Sequence, residues 1–199
     1  MTKKTTTTKK PHIQNSQPLR TDTEITLVRS LIEDRTGKNA ARNEILFYIG
    51  ITNGIRTNDI VQLKAADVLN KDKTTIIESK TGKKRTVHFP PKLKKQIKEY
   101  LNSRDYESEW LFPSYQDHTK HITTQAVYRM FKRIAKGQPK LAGLTAHSMR
   151  RTFGYHYYKR THDIVKLMRI FNHSSQAITL RYIGIEQEEI DNSLEDFDL

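Results

Sequence analysis

One pair of β-rich segments interrupts a chain whose other apolar residues follow helical spacing. Residues 74–78 (TTIIE) and 85–89 (RTVHF) flank the basic stretch SKTGKK, a pattern typical of a short hairpin with a glycine-containing turn. Two prolines, Pro90 and Pro91, end the second segment. The sequence therefore predicts a mainly α-helical fold with one small antiparallel β-sheet, that is, an α+β fold.

The predicted helices are marked by capping residues and by apolar residues three and four positions apart. The first opens at Thr21 and places Ile25, Val28, Leu31 and Ile32 on one face. A short helix is predicted directly after Arg56, with Thr57 or Asn58 as N-cap. The other predicted helices cover residues 40–51, 92–101, 124–136, 147–159, 163–170 and 176–182, and residues 110–112 are predicted as a strand or a packed turn.

The charge of the chain is divided unevenly. Its 199 residues include 35 lysines and arginines and 22 acids, for a formal net charge of +13. Residues 186–199 hold seven of the acids and no lysine or arginine, so residues 1–185 carry +20. A body this basic indicates a polyanionic partner, although a soluble basic protein without such a partner is the alternative.

The length and the charge pattern predict three parts. Residues 1–20 are predicted to be a disordered basic arm, because they offer little to bury. Residues 21–185 are long enough for one domain with a sizeable core. Residues 186–199 are predicted to be an acidic amphipathic tail, with Ile190, Leu194 and Phe197 on one side of a helix.

Composition excludes several classes of protein. The chain has no cysteine, which excludes disulfides and thiolate zinc sites and fits a reducing cytoplasm. No apolar run approaches the roughly 18 residues of a membrane span, and the first residues lack the apolar region of a signal peptide. A cytoplasmic protein without a membrane partner is therefore expected.

The last third of the chain brings together an imidazole, a guanidinium, a second imidazole and a phenol, at His147, Arg150, His173 and Tyr182. A phenol can attack a phosphodiester while a guanidinium neutralises the phosphate and imidazoles move protons, so this set needs no metal. Each residue alone has an ordinary alternative: a surface pair three apart on a helix, a loop histidine, and a core tyrosine.

Two cations earlier in the chain extend this set. Lys80 lies in the predicted hairpin turn, where a solvated lysine is the ordinary interpretation. Arg56 precedes a helix N-terminus, where a cation opposes the helix dipole. That unfavourable placement indicates an anionic partner for Arg56.

The order of these motifs (NGIR, SKTGKKRTVHFP, H-x-x-R, NHSS and a downstream tyrosine) resembles the catalytic domain of the tyrosine recombinase, or phage integrase, family across residues 20–185. The resemblance implies a site-specific recombinase or integrase of a phage or other mobile genetic element. It would cut and rejoin DNA through a 3′-phosphotyrosine, without a metal or another cofactor. With a match to the catalytic domain only, the sequence resembles the short members of the family, which lack an N-terminal core-binding domain.

The resemblance also implies a role for each matched residue. Arg56 and Arg150 would clamp the scissile phosphate, and His173 would hydrogen-bond one of its oxygens. Tyr182 would be the nucleophile, His147 would accept or hold its proton, and Lys80 would protonate the leaving 5′ oxygen. Further DNA contacts are expected from four basic residues, Lys83, Lys84, Arg85 and Arg151.

Three positions depart from or extend the family pattern. Asn172 stands where glycine is usual, Arg151 stands where histidine is frequent, and His156 matches a histidine interpreted as structural. The expected partners are double-stranded DNA, accessory DNA-bending proteins, and further copies of the chain in a DNA-bound dimer or tetramer joined through the tail.

Other functions remain open at this point. Topoisomerase-like relaxation would use the same chemistry without strand exchange. A DNA-binding regulator would keep the fold and lack cleavage, although intact candidates at all six catalytic positions speak against it. A general RNA- or DNA-binding module would form no covalent adduct.

Overall fold

The computed structural model describes residues 16–69 and 71–185. It confirms the mainly helical fold with one two-stranded antiparallel sheet. The helices are α1 Asp22–Thr36, α2 Ala40–Asn53, α3 Thr57–Val61, α4 Ala65–Val68, α5 Pro91–Asn102, α6 Thr124–Ala135, α7 Ala146–Thr161, α8 Ile164–Phe171 and α9 Gln176–Ile183; the strands are β1 Lys73–Ile77 and β2 Lys84–His88. Short 3₁₀ turns at Gly37–Asn39 and Pro139–Leu141 complete the described elements.

The two strands form the predicted hairpin, with each strand one residue earlier than expected. Lys73 pairs with His88, and Ile77 pairs with Lys84. The turn is closed by hydrogen bonds from the Glu78 amide to the Lys83 carbonyl, at 2.9 Å, and from the Gly82 amide to the Glu78 carbonyl, at 2.8 Å. Glu78 therefore begins the turn instead of ending the strand.

The chain from 110 to 112 is a packed turn, the second of the two predicted possibilities. Leu111 and Phe112 are fully buried. Isolated bridges join Trp110 to Lys64 and Pro113 to His121, so no continuous strand forms in this described region.

Helix α2 is at the centre of the core and approaches α7 closely. A side chain at Gly50 would have its Cβ 2.5 Å from the Met149 sulfur, and one at Gly54 would lie 2.3 Å from the Phe153 ring. Gly54 also has the left-handed backbone that ends α2, with φ of 58°. The two glycines let the loop that carries Arg56 lie directly against α7.

A second, smaller cluster joins α7, α8 and α9 around the fully buried Leu167, Phe171 and Ile183. Gly154 on α7 permits this contact, because a Cβ there would lie 2.6 Å from Ile183 and 2.7 Å from Phe171. Tyr182 packs at the edge of this cluster. Helix α9, which carries the candidate nucleophile, is thus held by a few close apolar contacts.

Residues 16–20 differ from the predicted disordered arm, because they form a strap across α7. The buried Ser16 hydroxyl lies 2.8 Å from the Thr145 hydroxyl, and the Leu19 amide donates to the Thr152 hydroxyl at 2.9 Å. His156 lies 2.9 Å from the Leu19 carbonyl through Nε2, which fits its interpretation as a structural histidine. The sequence did not predict this because the apolar content of the segment is a single leucine.

The end of the strap contacts the end of α9. Arg20 donates to the Gly184 carbonyl at 2.8 Å, and Pro18 packs against the same glycine. Gly184 has a left-handed φ of 74° and caps α9. The remainder of the predicted arm, residues 1–15, and the predicted tail, residues 186–199, lie outside the described residues.

Candidate active site

Arg150 lies at the centre of the site, on the buried side of α7. Its side chain is 5% exposed, and it donates to the Gly54 carbonyl at 2.5 Å and the Phe171 carbonyl at 3.1 Å. Burial lowers the pKa of Arg150 to about 10, with Tyr182 opposing this shift. The guanidinium therefore stays charged at neutral pH and ties the α2–α3 loop to the end of α8.

Arg56 faces the same place from the N-terminus of α3. Its Nη1 atom lies 2.9 Å from Oε2 of Glu78, and its side chain is 21% exposed. The anionic partner that the sequence indicated for Arg56 is thus, in the free protein, a carboxylate of the chain itself. The exposed part of the guanidinium is left available to a ligand.

The sequence reasoning missed Glu78, a carboxylate that is only 3% exposed. Burial works to raise its pKa, but Arg56, the Thr81 hydroxyl and the charge of Arg150 outweigh burial, and the pKa of Glu78 lies below its ordinary value. The only signal in the sequence was an acid at the end of an apolar β segment, directly before Ser79-Lys80.

Asp59 is a second buried carboxylate that the sequence reasoning did not assign to the site. It is 5% exposed, and its Oδ1 accepts the Ser79 amide at 2.9 Å and the Ser79 hydroxyl at 2.7 Å. Asp59 thereby fixes the base of the hairpin turn to α3, next to Arg56.

Tyr182 and His173 meet beside Arg150. Their ring centroids are 5.2 Å apart in an edge-to-face arrangement, and the His173 Nδ1 lies 3.1 Å from the Thr179 hydroxyl. Burial raises the pKa of Tyr182 above its ordinary value, although Arg150, Arg151 and Arg56 oppose the shift. The phenol is therefore neutral at rest and needs a base in order to attack.

Both histidines have lowered pKa values. Loss of surrounding water, followed by the charges of Arg151, Arg150 and Lys80, lowers the pKa of His147. Burial, then Arg150, Arg56 and Lys80, lowers the pKa of His173. A lowered pKa leaves each imidazole neutral at neutral pH and able to accept a proton.

Lys80 is exposed in the hairpin turn. Its charge acts on both His147 and His173, so the turn faces the same cluster. The structure thus brings all six predicted catalytic residues to one region of the molecule.

The predicted DNA-contacting residues divide into two groups. Lys83 and Lys84 are exposed beside the turn, and the Arg151 guanidinium lies 4.8 Å from the centre of the Tyr182 ring. Arg85 differs from the expectation of a surface contact. It donates to the Ile170 carbonyl at 2.6 Å and its side chain is 12% exposed, because the strand turns it inward toward α8.

Asn172, where the family usually has glycine, keeps the loop conformation that glycine would adopt. Its φ is 55° and it ends α8; asparagine is among the few residues that tolerate this left-handed region. Its Oδ1 accepts a hydrogen bond from Lys83 at 2.5 Å. The substitution thus retains the loop that carries His173 and adds a contact to the hairpin.

Neither a metal-binding cluster nor a membrane-spanning helix occurs among the described residues. No group of three or more histidine, aspartate or glutamate side chains in residues 16–69 and 71–185 is placed to hold a metal ion. In the same part of the chain, no helix combines the length and apolar character that crossing a membrane requires.

The comparisons with known proteins agree on one family. The sequence profile of the phage integrase family matches residues 19–189. The probable integrase/recombinase YoeC of Bacillus subtilis is 40% identical over 172 residues, which are 86% of this chain and 91% of YoeC.

Two solved structures share the fold. A XerA recombinase superposes with a TM-score of 0.68 at 22% identity, over 92% of this chain and 67% of XerA. The XerH recombinase, in a pre-cleavage complex with its difH substrate, superposes with a TM-score of 0.65 at 20% identity, over 94% of this chain. This chain spans 55% of the XerH chain.

Proposed function

Because the chain belongs to the phage integrase family of site-specific DNA recombinases, we propose that it breaks and rejoins DNA strands through a 3′-phosphotyrosine at Tyr182. The observation that carries this proposal is the position of Arg150. Its buried guanidinium borders the Tyr182 phenol on one side and the Arg56–Glu78 pair on the other. A phosphate placed there would meet two cations and a nucleophile together.

In the proposed reaction the two arginines bind the scissile phosphate. Arg56 and Arg150 offer planar donors that match phosphate oxygens, and they stabilise the extra negative charge of the pentacoordinate transition state. His173, half-buried beside Tyr182, donates a hydrogen bond to a phosphate oxygen.

A neutral His147 and a neutral Tyr182, as their shifted pKa values indicate, can act as base and nucleophile. The Tyr182 oxygen forms a bond to phosphorus while its proton passes to the neutral His147. The bond from phosphorus to the 5′ oxygen breaks, and Lys80 supplies the proton that makes this group a hydroxyl. Rejoining reverses each transfer, with the 5′ hydroxyl attacking and the tyrosine leaving.

A covalent-adduct assay tests this proposal. Wild-type protein incubated with nicked suicide substrates should give an SDS-stable complex, and mass spectrometry should place the nucleotide on Tyr182. Tyr182→Phe should fold and bind DNA without forming the adduct, since only the phenolic oxygen is lost. A nucleotide on Tyr155, Tyr157 or Tyr158 would refute the assignment, and DNA binding without any adduct would favour a regulator.

A second assay distinguishes the role of Lys80 from that of Arg150. A substrate whose leaving group is a 5′-thiol needs no proton from the protein, because a thiol is a much stronger acid than an alcohol. This substrate should restore cleavage by Lys80→Ala and leave Arg150→Ala inactive. The reverse pattern would place the general acid elsewhere.

We further propose how the protein contacts DNA. Lys83, Lys84 and Arg151 lie beside the candidate catalytic residues and can contact phosphates flanking the scissile one, together with basic residues of the arm before residue 16. Such contacts position the duplex without reading its sequence. Accessory DNA-bending proteins would assist where the target must be bent, and a DNA substrate together with a cysteine-free sequence fits a cytoplasmic location.

The acidic tail is proposed to join copies of the chain on DNA. Residues 186–199 carry seven acids, so bound DNA repels them, while the apolar side that the spacing of Ile190, Leu194 and Phe197 predicts would need a surface to cover it. Docking on a neighbouring copy in a dimer or tetramer satisfies both conditions. A chain truncated after Gly184 should fold and bind a single site but lose assembly on paired sites; normal assembly would show that the tail docks on its own domain.

A further inference from the structure

Glu78 is the point where three arginines from different elements converge. Its carboxylate lies 2.9 Å from Arg56 Nη1, 3.6 Å from Arg85 Nη1 and 3.9 Å from Arg150 Nη1. These residues come from the start of α3, from β2 and from α7. The glutamate is 3% exposed, so its carboxylate is largely shielded from water.

The carboxylate is itself held in place by the hairpin turn. Its Oε2 accepts a hydrogen bond from the Thr81 hydroxyl at 2.9 Å, and its backbone closes the turn with Lys83 and Gly82. Asp59 anchors Ser79, the next residue, to α3. The position of Glu78 is therefore set by the turn and not by the arginines alone.

The ion pair between Arg56 and Glu78 leaves one buried donor and one buried acceptor without a hydrogen bond. Within the described part of the chain, neither Glu78 Oε1 nor Arg56 Nη1 makes a hydrogen bond of good geometry, although both are buried. The contact between Arg56 Nη1 and Glu78 Oε2 is thus mainly one of charge, and the exposed part of the Arg56 guanidinium keeps hydrogen-bonding capacity for a second oxyanion. A scissile phosphate has the chemistry to use it.

Electrostatics makes an internal anion necessary for this arrangement. Arg56, Arg85 and Arg150 repel one another in a region with little water, where charge interactions are strong. The pKa of Glu78 lies below its ordinary value, so the carboxylate is ionised at neutral pH. The buried carboxylate offsets part of the repulsion among the three arginines. The solvent-exposed side of Arg56 stays open to a ligand.

We propose that Glu78 is a positioning residue for the cleavage reaction, whose carboxylate fixes the Arg56 and Arg150 guanidiniums in the orientation that the scissile phosphate requires. This inference rests on the proposed function of those two arginines. Glu78 touches neither the phosphate nor the nucleophile; it acts through the two cations.

The test is Glu78→Gln, which keeps the shape of the side chain and removes its charge. The added positive charge should leave duplex affinity equal or higher, while misaligned guanidiniums slow single-turnover cleavage by about tenfold or more. Glu44→Gln is the matched control, because Glu44 pairs with Arg29 at 2.5 Å on helices outside the site. A 5′-thiol substrate should not restore the rate, since Lys80 is not the affected group.

Three results of the Glu78→Gln cleavage assays would overturn the proposal. One is cleavage by Glu78→Gln at the wild-type rate. A second is a rate loss that follows entirely from weaker DNA binding. The third is full rescue by the 5′-thiol substrate, which would show that Glu78 acts on the hairpin lysine instead of the arginines.

Two additional measurements keep the proposal testable. The first applies if Glu78→Gln fails to fold, and the second applies if the wild-type protein forms no adduct. Glu78→Asp keeps the charge but withdraws it by one methylene, so it should fold and still slow cleavage; a wild-type rate would contradict the proposal. In NMR spectra of the free protein, the Nε–Hε signals of Arg56 and Arg150 should broaden in Glu78→Gln and stay sharp in Glu44→Gln. Unchanged signals would refute the positioning role even if the wild-type protein formed no adduct.

Discussion

At the scale of single residues, Arg150 serves the scaffold and the chemistry with one side chain. Its hydrogen bonds to the Gly54 and Phe171 carbonyls join the loop that carries Arg56 to the helix end that precedes His173. A substitution there removes a cation from the site and also leaves two carbonyls without their donor. Activity and stability should therefore fall together.

Arg150→Ala should lower the free energy of unfolding by about 2 kcal/mol or more, because a buried acceptor left without a partner costs roughly 1–3 kcal/mol. Adduct formation should also fall by several kcal/mol of transition-state stabilisation, at least about 100-fold. Chemical denaturation and the suicide-substrate assay measure the two effects. Arg151→Ala, one residue along the same helix, should unfold at nearly the wild-type denaturant concentration; an equal loss there would show that any arginine in this turn is structural.

The pH dependence of cleavage should reflect His147. A base works only when neutral, and since the pKa of His147 is lowered, the rate should rise with pH through a midpoint below the ordinary histidine value of about 6.5. Arg151 is the largest charge contribution to this lowering, so Arg151→Gln should move the midpoint upward. NMR titration of the His147 ring in the free protein checks the shift, and an unchanged midpoint would contradict it.

Motif order is visible in the sequence, whereas burial set by contacts between distant segments is not. The order of the motifs singled out six candidates that the structure brings together: Arg56, Lys80, His147, Arg150, His173 and Tyr182. The burial of Glu78 and Arg85 was not predicted, because an acid ending a β segment and an arginine in a basic strand both suggest solvated side chains. Their burial depends on contacts with α3, α7 and α8 that are far away in sequence.

At the scale of elements, α9 is a short helix that must hold the candidate nucleophile in place. It has eight residues, too few to be stable in isolation, and it carries Tyr182. Its N-cap is Ser175, whose hydroxyl accepts the Ile178 amide at 3.2 Å. The helix therefore depends on that cap and on its packing against Phe171 and Gly154.

Ser175→Ala should destabilise α9 by about 1 kcal/mol, the usual value for loss of a serine N-cap. Hydrogen exchange at the amides of residues 178–182 should quicken, and the cleavage rate should fall modestly because the phenol is less well positioned. Ser174→Ala, at the exposed neighbouring position, is the control and should change neither. Equal effects of the two substitutions would argue against capping as the cause.

The boundaries of the elements were largely predictable because local signals set them. Serine, threonine and aspartate caps precede α1, α6, α7, α8 and α9, and glycine or proline follows several segments. The hairpin strands were misplaced by one residue because the Glu78–Lys83 hydrogen bond, and not composition, decides where the turn begins. The strap of residues 16–20 was missed since its contacts are all with distant residues.

At the scale of the whole molecule, the uneven charge governs how the protein meets DNA. Binding should weaken steeply with salt, by about 0.9 log units per log unit of salt for each phosphate neutralised. Deleting residues 2–15, which include four lysines, should make this slope shallower and preserve cleavage. Fluorescence anisotropy over a salt series measures the slope, and loss of all cleavage would show that the arm takes part in the reaction.

A longer deletion should affect the stability of the protein as well as its affinity for DNA. Removing residues 2–20 also removes the strap, with its contacts to Thr152, His156 and Gly184, so this variant should lose stability as well as DNA affinity. Comparing the two deletions separates the electrostatic effect of the arm from the packing of the strap. Equal melting temperatures for both would refute a stabilising strap.

The hydrogen bond from Arg20 to Gly184 has a mechanical consequence. It ties the two ends of the described chain together two residues from Tyr182. A force applied to either end would reach the candidate nucleophile through a few covalent and hydrogen bonds, without passing through the core. A neighbouring subunit or a DNA strand that pulls on one of these ends would therefore move the phenol toward or away from the scissile phosphate.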